Sequence, residues 1–211
     1  MSNAVATGRG VIIWDPAECV NHLPEATARD LARLSELLNS DPEDRARIVV
    51  YQPQTEELAD DFESFFAILD RKYHFVLLVD ECHWIQNPQW ATPSLRKIIR
   101  KPNRWDAILM QTCHAPSDTW GRARSLATEW YMFKLTRSAD LEAIARECGG
   151  EVAKEVEGLP PVENPPLPGS RRVYVHYRVD SARWEIVDRQ EDWYVNLSPP
   201  PVREEELVYA V

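Results

Sequence analysis

Glycine is scarce in this sequence, with 7 in 211 residues against 16 prolines. No glycine is followed by lysine, so a glycine-rich phosphate-cradling loop of the form G-x-x-x-x-G-K-[ST] is absent. The 4 cysteines, Cys19, Cys82, Cys113 and Cys148, form no C-x-x-C pair, which excludes a zinc ribbon and predicts reduced thiols in the core. No apolar run approaches the roughly 20 residues of a membrane-spanning helix, and mean hydropathy is -0.43. Met1 to Gly10 lacks a basic stretch followed by an apolar one. No secretory signal is therefore visible, and the expected compartment is the cytoplasm. Positive charge is also in deficit. A net charge of -10 excludes a protein whose whole surface grips nucleic acid and leaves room only for a local patch. No internal repeat is present.

What is there is the composition of a globular chain, 44% hydrophobic and 27% charged. Short apolar runs alternate with helical stretches. The runs are Val11-Ile12-Ile13-Trp14, Ile48-Val49-Val50-Tyr51, Phe75-Val76-Leu77-Leu78-Val79 and Ala107-Ile108-Leu109-Met110, with Tyr131 to Leu135 as a fifth. They are continuous rather than alternating, as in strands covered on both faces. Leu58, Phe62, Phe65, Phe66 and Leu69 fall at i, i+4, i+7, i+8 and i+11, one face of a helix capped by Thr55. Leu31, Leu34, Leu37 and Leu38 mark an earlier helix. Leu141, Ile144, Ala145 and Cys148 mark a later one, opened by Ser138 and closed by Gly149-Gly150. The expected fold is α/β, a mostly parallel sheet flanked by helices, over residues 1–158. A proline-rich linker is expected at 159–170, a β-hairpin within 171–198 turning near Asp180-Ser181, and an acidic tail at 199–211. Two strands alone are marginal in water, so the hairpin is expected to dock on something.

The sharpest local signal is the run from Phe75 to Val79 ending in Asp80-Glu81. Strand ends in α/β sheets face the ligand crevice, and adjacent carboxylates there suit a hard cation and an attacking water. An ordinary solvated turn has the same pattern. One strand later, Ile108-Leu109-Met110 ends in the polar pair Gln111-Thr112. A basic helix with Arg96, Lys97, Arg100, Lys101 and Arg104 lies between them, and Phe133-Lys134-Leu135-Thr136 follows.

In these residues and their order, Val11 to Leu159 resembles the HerA/FtsK-like branch of P-loop ATPases. The likeness is to the phage and plasmid members, including the zonular-occludens-toxin-like assembly ATPases. The resemblance implies a P-loop-NTPase-like core, ATP and Mg²⁺ as cofactors, ring-shaped homo-oligomers, and DNA as the translocated partner. It makes Asp80 and Glu81 the Walker B acids, with Asp80 holding the metal. It makes Gln111 the sensor, and Arg100 or Arg104 the trans-acting arginine. The departure is the phosphate loop. In the family, the strand and helix bearing it precede the segment matching Val11 to Asp15, and that strand lies between the sensor strand and the last strand. The chain is accordingly either a fragment lacking its first element, or a degenerate member whose sheet has closed over the gap. ATP hydrolysis is expected only if an upstream phosphate loop exists. The alternative is a non-hydrolysing interaction subunit that keeps the fold.

Three further patterns carry less. Asp80-Glu81-Cys82-His83 also spells the DECH box of superfamily-2 helicases, but the serine/alanine/threonine motif that follows it there is missing, and 211 residues do not hold two helicase lobes. Cys82-His83 and Cys113-His114 invite a metal reading, yet adjacent side chains diverge, and two buried thiols with two crevice histidines is the simpler expectation. The basic run is either a solvated helix face or a nucleic-acid patch of Arg96, Lys97, Arg100, Lys101 and Arg104.

Overall fold

The computed structural model describes residues 9–20, 23, 26–39, 48–72, 74–162 and 171–190. The chain divides into two compact units, Met1–Leu126 and Ala127–Val211.

In the first unit the elements run β1 (Gly10–Trp14), β2 (Thr27–Ala28), α1 (Leu31–Asn39), β3 (Ile48–Tyr51), α2 (Leu58–Leu69), β4 (Phe75–Val79), α3 (Pro93–Arg100), β5 (Ile108–Gln111) and α4 (Gly121–Leu126). The sheet order is β2-β3-β1-β4-β5 and every pairing is parallel. Strand side chains alternate between faces. On one face Ile12, Trp14, Val49, Tyr51, Phe75, Leu77 and Val79 pack against the leucines of α1, the phenylalanines of α2 and Leu95 and Ile98 of α3. Aromatic edges lock this layer: Trp14 meets Phe62 at 5.3 Å, and Phe66 meets Trp105 at 5.5 Å. Each such ring buries enough apolar area to contribute on the order of 2–3 kcal/mol. On the other face Val11, Ile13, Val50 and Val76 form a second buried cluster with Val20, Leu23, Ile48 and Leu78 at its margin. Burial on both faces is why β1, β3 and β4 are unbroken apolar runs.

The second unit contains β6 (Glu129–Met132), α5 (Ser138–Cys148), α6 (Gly150–Gly158), β7 (Arg171–Arg178) and β8 (Arg183–Gln190). Its sheet is antiparallel in the order β6-β7-β8. Met132, Val175 and Tyr177 pack on Ile144, Val152, Val156 and Leu159. Gly149, at φ 103, makes the corner between the two helices, a conformation that favours glycine.

Several expectations change. The strand expected at Tyr131 to Leu135 is β6, two residues earlier, and it pairs Trp130 with Tyr177 and Met132 with Val175 rather than joining the parallel sheet. It and both following helices sort with the hairpin, so the compact units separate after Leu126 rather than at residue 158. The hairpin turns at 179–182 as expected, and β6 supplies the third strand that a lone hairpin lacks. Thr55 does not cap α2: Glu57 holds the cap position without a side-chain bond, and the Thr55 hydroxyl accepts the Glu57 N–H at 3.1 Å. Only Cys82 and Cys148 are buried thiols, while Cys19 and Cys113 are exposed. Most of the expected linker, the end of the hairpin segment and the acidic tail lie outside the described residues.

Candidate active site

The connection leaving β1 leads toward β3 on one side, and the one leaving β4 leads toward β5 on the other. Between such neighbours an α/β sheet opens a crevice at the carboxyl ends of the strands. Asp15 and Asp80 sit at those two ends. The backbone ladder runs one step past the strands, with Asp15 N donating to Tyr51 O at 2.9 Å and Asp80 N to Trp14 O at 2.9 Å.

Asp15 is fully buried. It accepts the N–H groups of Cys19 and Val20 and the Gln52 side-chain amide, each at 2.9 Å. Three donors on one carboxylate fold the turn after β1 back over the crevice. The Cys19 thiol donates to Ala17 O at 3.8 Å and lies close to Asp80. Burial, followed by the negative charges of Asp80, Asp15 and Glu81, pushes the Cys19 thiol up from its ordinary range. Ligand atoms of Asp15, Cys19 and Asp80 lie within 4.8 Å of one another, but the buried member, Asp15, is already saturated.

Asp80, Glu81 and Gln111 are brought together at the tips of β4 and β5. Thr112, adjacent to Gln111, ties them. Its hydroxyl accepts the Glu81 N–H at 3.0 Å and donates to Asp80 Oδ1. Glu81 takes the left-handed conformation, φ 51 and ψ 50, unusual for a side-chain-bearing residue and often found where a site holds strain. Its carboxylate lies between two imidazoles, with His114 Nε2 2.5 Å from Oε1 and His83 Nδ1 3.0 Å from Oε2. The second contact has the distance of an ion pair without hydrogen-bond alignment, since Oε2 has no hydrogen-bond partner. Gln111 Oε1 accepts the Gln86 amide at 2.8 Å, and Gln86 Oε1 accepts the Trp120 N–H at 3.3 Å. Thr112 and the two histidines as partners of Glu81 are what sequence reasoning missed. The available signal was that each adjoins a residue already singled out.

The five cations lie elsewhere. α3 leaves the tip of β4 and ends at Arg100, and Arg104 sits on a 3-10 turn at Pro102–Arg104. Arg104 is therefore not on the basic helix with Arg100 as expected, because Pro102 terminates the helix pattern. Trp105 O accepts the His74 N–H at 2.8 Å, which puts this turn at the start of β4 and so at the end of the sheet opposite Asp80 and Glu81. Arg96, Lys97, Arg100, Lys101 and Arg104 nonetheless line one open cavity of about 280 Å³. Asp70 faces into the group, 3.0 Å from Lys97 and 3.8 Å from Arg104, and the Lys97 contact first of all holds its carboxyl below the usual range. Lys97 covers Trp105 at 5.5 Å, and Arg100 lies over Trp120 at 5.8 Å.

A divalent cation fits the acids, since Asp80 and Glu81 offer oxygen ligands at one tip. A triphosphate does not find its cradle among the described residues. Gly121 opens α4, but its N–H is given to Pro88 O at 3.4 Å, and Gly149-Gly150 follow a helix rather than a strand. Among the described residues β5 is bonded to β4 alone, and its Ile108 and Met110 are 47% and 40% exposed. β5 and β6 belong to different sheets, so among the described residues the sheet has not closed over a gap between them.

A mostly parallel five-stranded sheet flanked by helices, with a separate antiparallel sheet, is a P-loop-NTPase-like α/β fold. Solved structures with this fold include the genome packaging NTPase B204 from Sulfolobus turreted icosahedral virus 2 in complex with ATP-gammaS. It matches with a TM-score of 0.65 and 17% identity over 88% of this chain and 85% of that one. Its sulfate complex matches at TM-score 0.66 and 18% identity, over 86% and 82% of the two chains. B204, the DNA-packaging ATPase from Sulfolobus turreted icosahedral virus, matches at 0.55 and 15% identity, over 85% and 96%. No protein-family model matches the sequence, and no relative is found among curated proteins. Among the described residues, no helix is long and apolar enough to cross a membrane.

Proposed function

We propose that this chain is an ATPase-core protein of a DNA translocation, packaging or virion-assembly system, of the HerA/FtsK-like kind. Asp80 and Glu81 are its Walker B acids and Gln111 its sensor. The observation that carries this reading is their convergence: two acids and a glutamine meet at neighbouring strand tips of a parallel sheet whose solved likenesses include an NTPase holding ATP-gammaS. Asp80 would hold the Mg²⁺ shell and Glu81 would accept the water's proton, with Thr112 fixing the backbone between them. The protein works in the cytoplasm as a homo-oligomeric ring. In that ring Arg100 or Arg104 serves a neighbouring subunit, which agrees with their position away from this chain's own acids. The same cations meet DNA phosphates.

The second reading, a non-hydrolysing subunit that keeps the fold for assembly, is favoured by one specific observation. The sequence has no Gly-Lys pair, and Glu81 is already held by His83 and His114. Phosphate release measured with Mg²⁺ and ATP, on the parent and on Glu81→Gln, separates the two. In a chain extended upstream by a G-x-x-x-x-G-K-[ST] segment, turnover that is lost in the variant supports the hydrolase, and its absence from both supports the subunit.

A further inference from the structure

We propose that Cys82 and Cys113 form a reversible thiol–disulfide pair that staples the tip of β4 to the tip of β5. The placement comes from the backbone. Thr112 N donates to Val79 O at 3.0 Å, and Cys82 N, opening a 3-10 turn after β4, donates to Thr112 O at 3.0 Å, so the chain leaving β4 stays bonded to the chain leaving β5 at the residue before Cys113. Because the Cys82 amide is bonded to the carbonyl that precedes Cys113, the two thiol-bearing residues lie beside each other. A backbone hydrogen bond from one residue to the carbonyl that precedes the other holds their Cα atoms near the spacing a disulfide spans. The two sulfurs differ in access. Cys82 is 1% exposed and Cys113 is exposed, so the reaction starts at Cys113.

The oxidant is a low-molecular-weight disulfide of the glutathione class. Cys113 loses its proton and attacks one sulfur; the small disulfide's S–S bond breaks, and the departing thiolate takes up that proton. Cys82 loses its proton to the second leaving thiolate as it attacks Cys113 Sγ. Two protein thiols become one disulfide, and one small disulfide becomes two thiols. The staple tightens the segment between Glu81 and His114, so it acts on the candidate site whether or not that site turns over nucleotide.

The test equilibrates the full chain in a series of reduced and oxidised glutathione, quenches with an alkylating agent under denaturing conditions, and maps peptides by mass spectrometry. The expected result is a linked peptide pair joining Cys82 to Cys113, a loss of two hydrogens from the intact mass and of two alkylatable thiols, with Cys148 remaining alkylatable. The exposed replacement Cys113→Ser leaves the buried thiol in place and should abolish the linked pair. In the oxidised parent the Cys82 amide should exchange hydrogen more slowly than in the reduced parent. A mixed disulfide on Cys113 that persists across the series with Cys82 still alkylatable, or a pairing of Cys113 with Cys19, overturns the proposal.

Discussion

If the cavity at the end of α3 meets DNA, its cations do not contribute equally, because Asp70 already engages two of them. Lys97 is 3.0 Å from Asp70 and Arg104 3.8 Å, whereas Arg100 and Lys101 have no carboxylate partner among the described residues. Each phosphate neutralised releases condensed counterions, with a slope of about 0.9 per contact on duplex DNA and about 0.7 on a single strand. Replacing Arg100 and Lys101 together by alanine should therefore flatten the log-affinity against log-salt line by about 1.8 on duplex, or about 1.4 on a single strand. Between 50 and 200 mM salt that is a loss of affinity about tenfold smaller than the parent's. Asp70→Asn has the opposite sign. It frees Lys97 and Arg104 and should tighten binding and steepen the line. Lys97 is left unaltered, because its stem covers Phe66 and Trp105 and its removal would confound charge with packing. Fluorescence anisotropy of labelled duplex and single strands across a salt series reads all three proteins. Equal slopes in parent and double variant, or weaker binding by Asp70→Asn, would refute the reasoning and leave the cations as a solvated surface.

Other consequences are as direct. Asp15→Ala strands three N–H donors, one of them on the buried Gln52, and should destabilise by about 3 kcal/mol. Urea unfolding followed by tryptophan fluorescence checks it, and a loss under about 1 kcal/mol would mean that water replaces the carboxylate freely. The chain as it stands should turn ATP over at well under about 1 s⁻¹ for want of a phosphate cradle; phosphate release at that rate, abolished by Glu81→Gln, would contradict this. His74, and then Arg9, hold the Asp106 carboxyl below the usual range. A lowered pKa stabilises above the unfolded value of about 3.9 and is lost as pH falls through the folded one. Asp106→Asn should then lower stability by a constant amount above about pH 5 and flatten the acid limb below it, as urea unfolding across a pH series would read.

The parallel sheet was legible where both strand faces are buried. β1, β3 and β4 are such strands, and their unbroken apolar runs announced them. The same signal misleads at β5, whose run is just as apolar although Ile108 and Met110 face outward on a strand bonded, among the described residues, to β4 alone. Nothing in Thr27–Ala28 marks a two-residue strand, and its pairing with β3 is a consequence of the chain's path. β6 was legible as a strand but not in its sheet, since pairing partners are set by cross-strand packing of Trp130 and Met132 on Tyr177 and Val175. At the site the acids and Gln111 could be read because strand ends are visible in sequence. The Thr112 hydroxyl bridge and the left-handed turn at Glu81 could not, because both depend on how two strand ends are offset. The break of the basic run was missed: Arg104 was read onto the helix although Pro102 follows Lys101, and a helix does not run through it.

These placements bear on how the two candidate functions can coexist in one small unit. Carboxylates and cations near each other would neutralise one another, and their charges would serve neither a metal nor a phosphate backbone. The fold separates them by the length of the sheet. Acids gather where β1 and β4 end, cations where α3 returns the chain toward the start of β5. A parallel sheet does this without added design, since every β-to-α connection leaves at one end and every α-to-β connection arrives at the other. Two carboxylates break the segregation: Asp106, paired with Arg9 and His74 ahead of β5, and Asp70, at the end of α2, which faces the cationic cavity. There Asp70 anchors Lys97 over Phe66 and Trp105 and lowers the charge of the patch. Asp70→Asn is for that reason the most discriminating substitution in the molecule. It raises positive charge in the cavity while leaving Asp80, Glu81 and Gln111 untouched, so any change it makes in DNA affinity belongs to the cationic end alone.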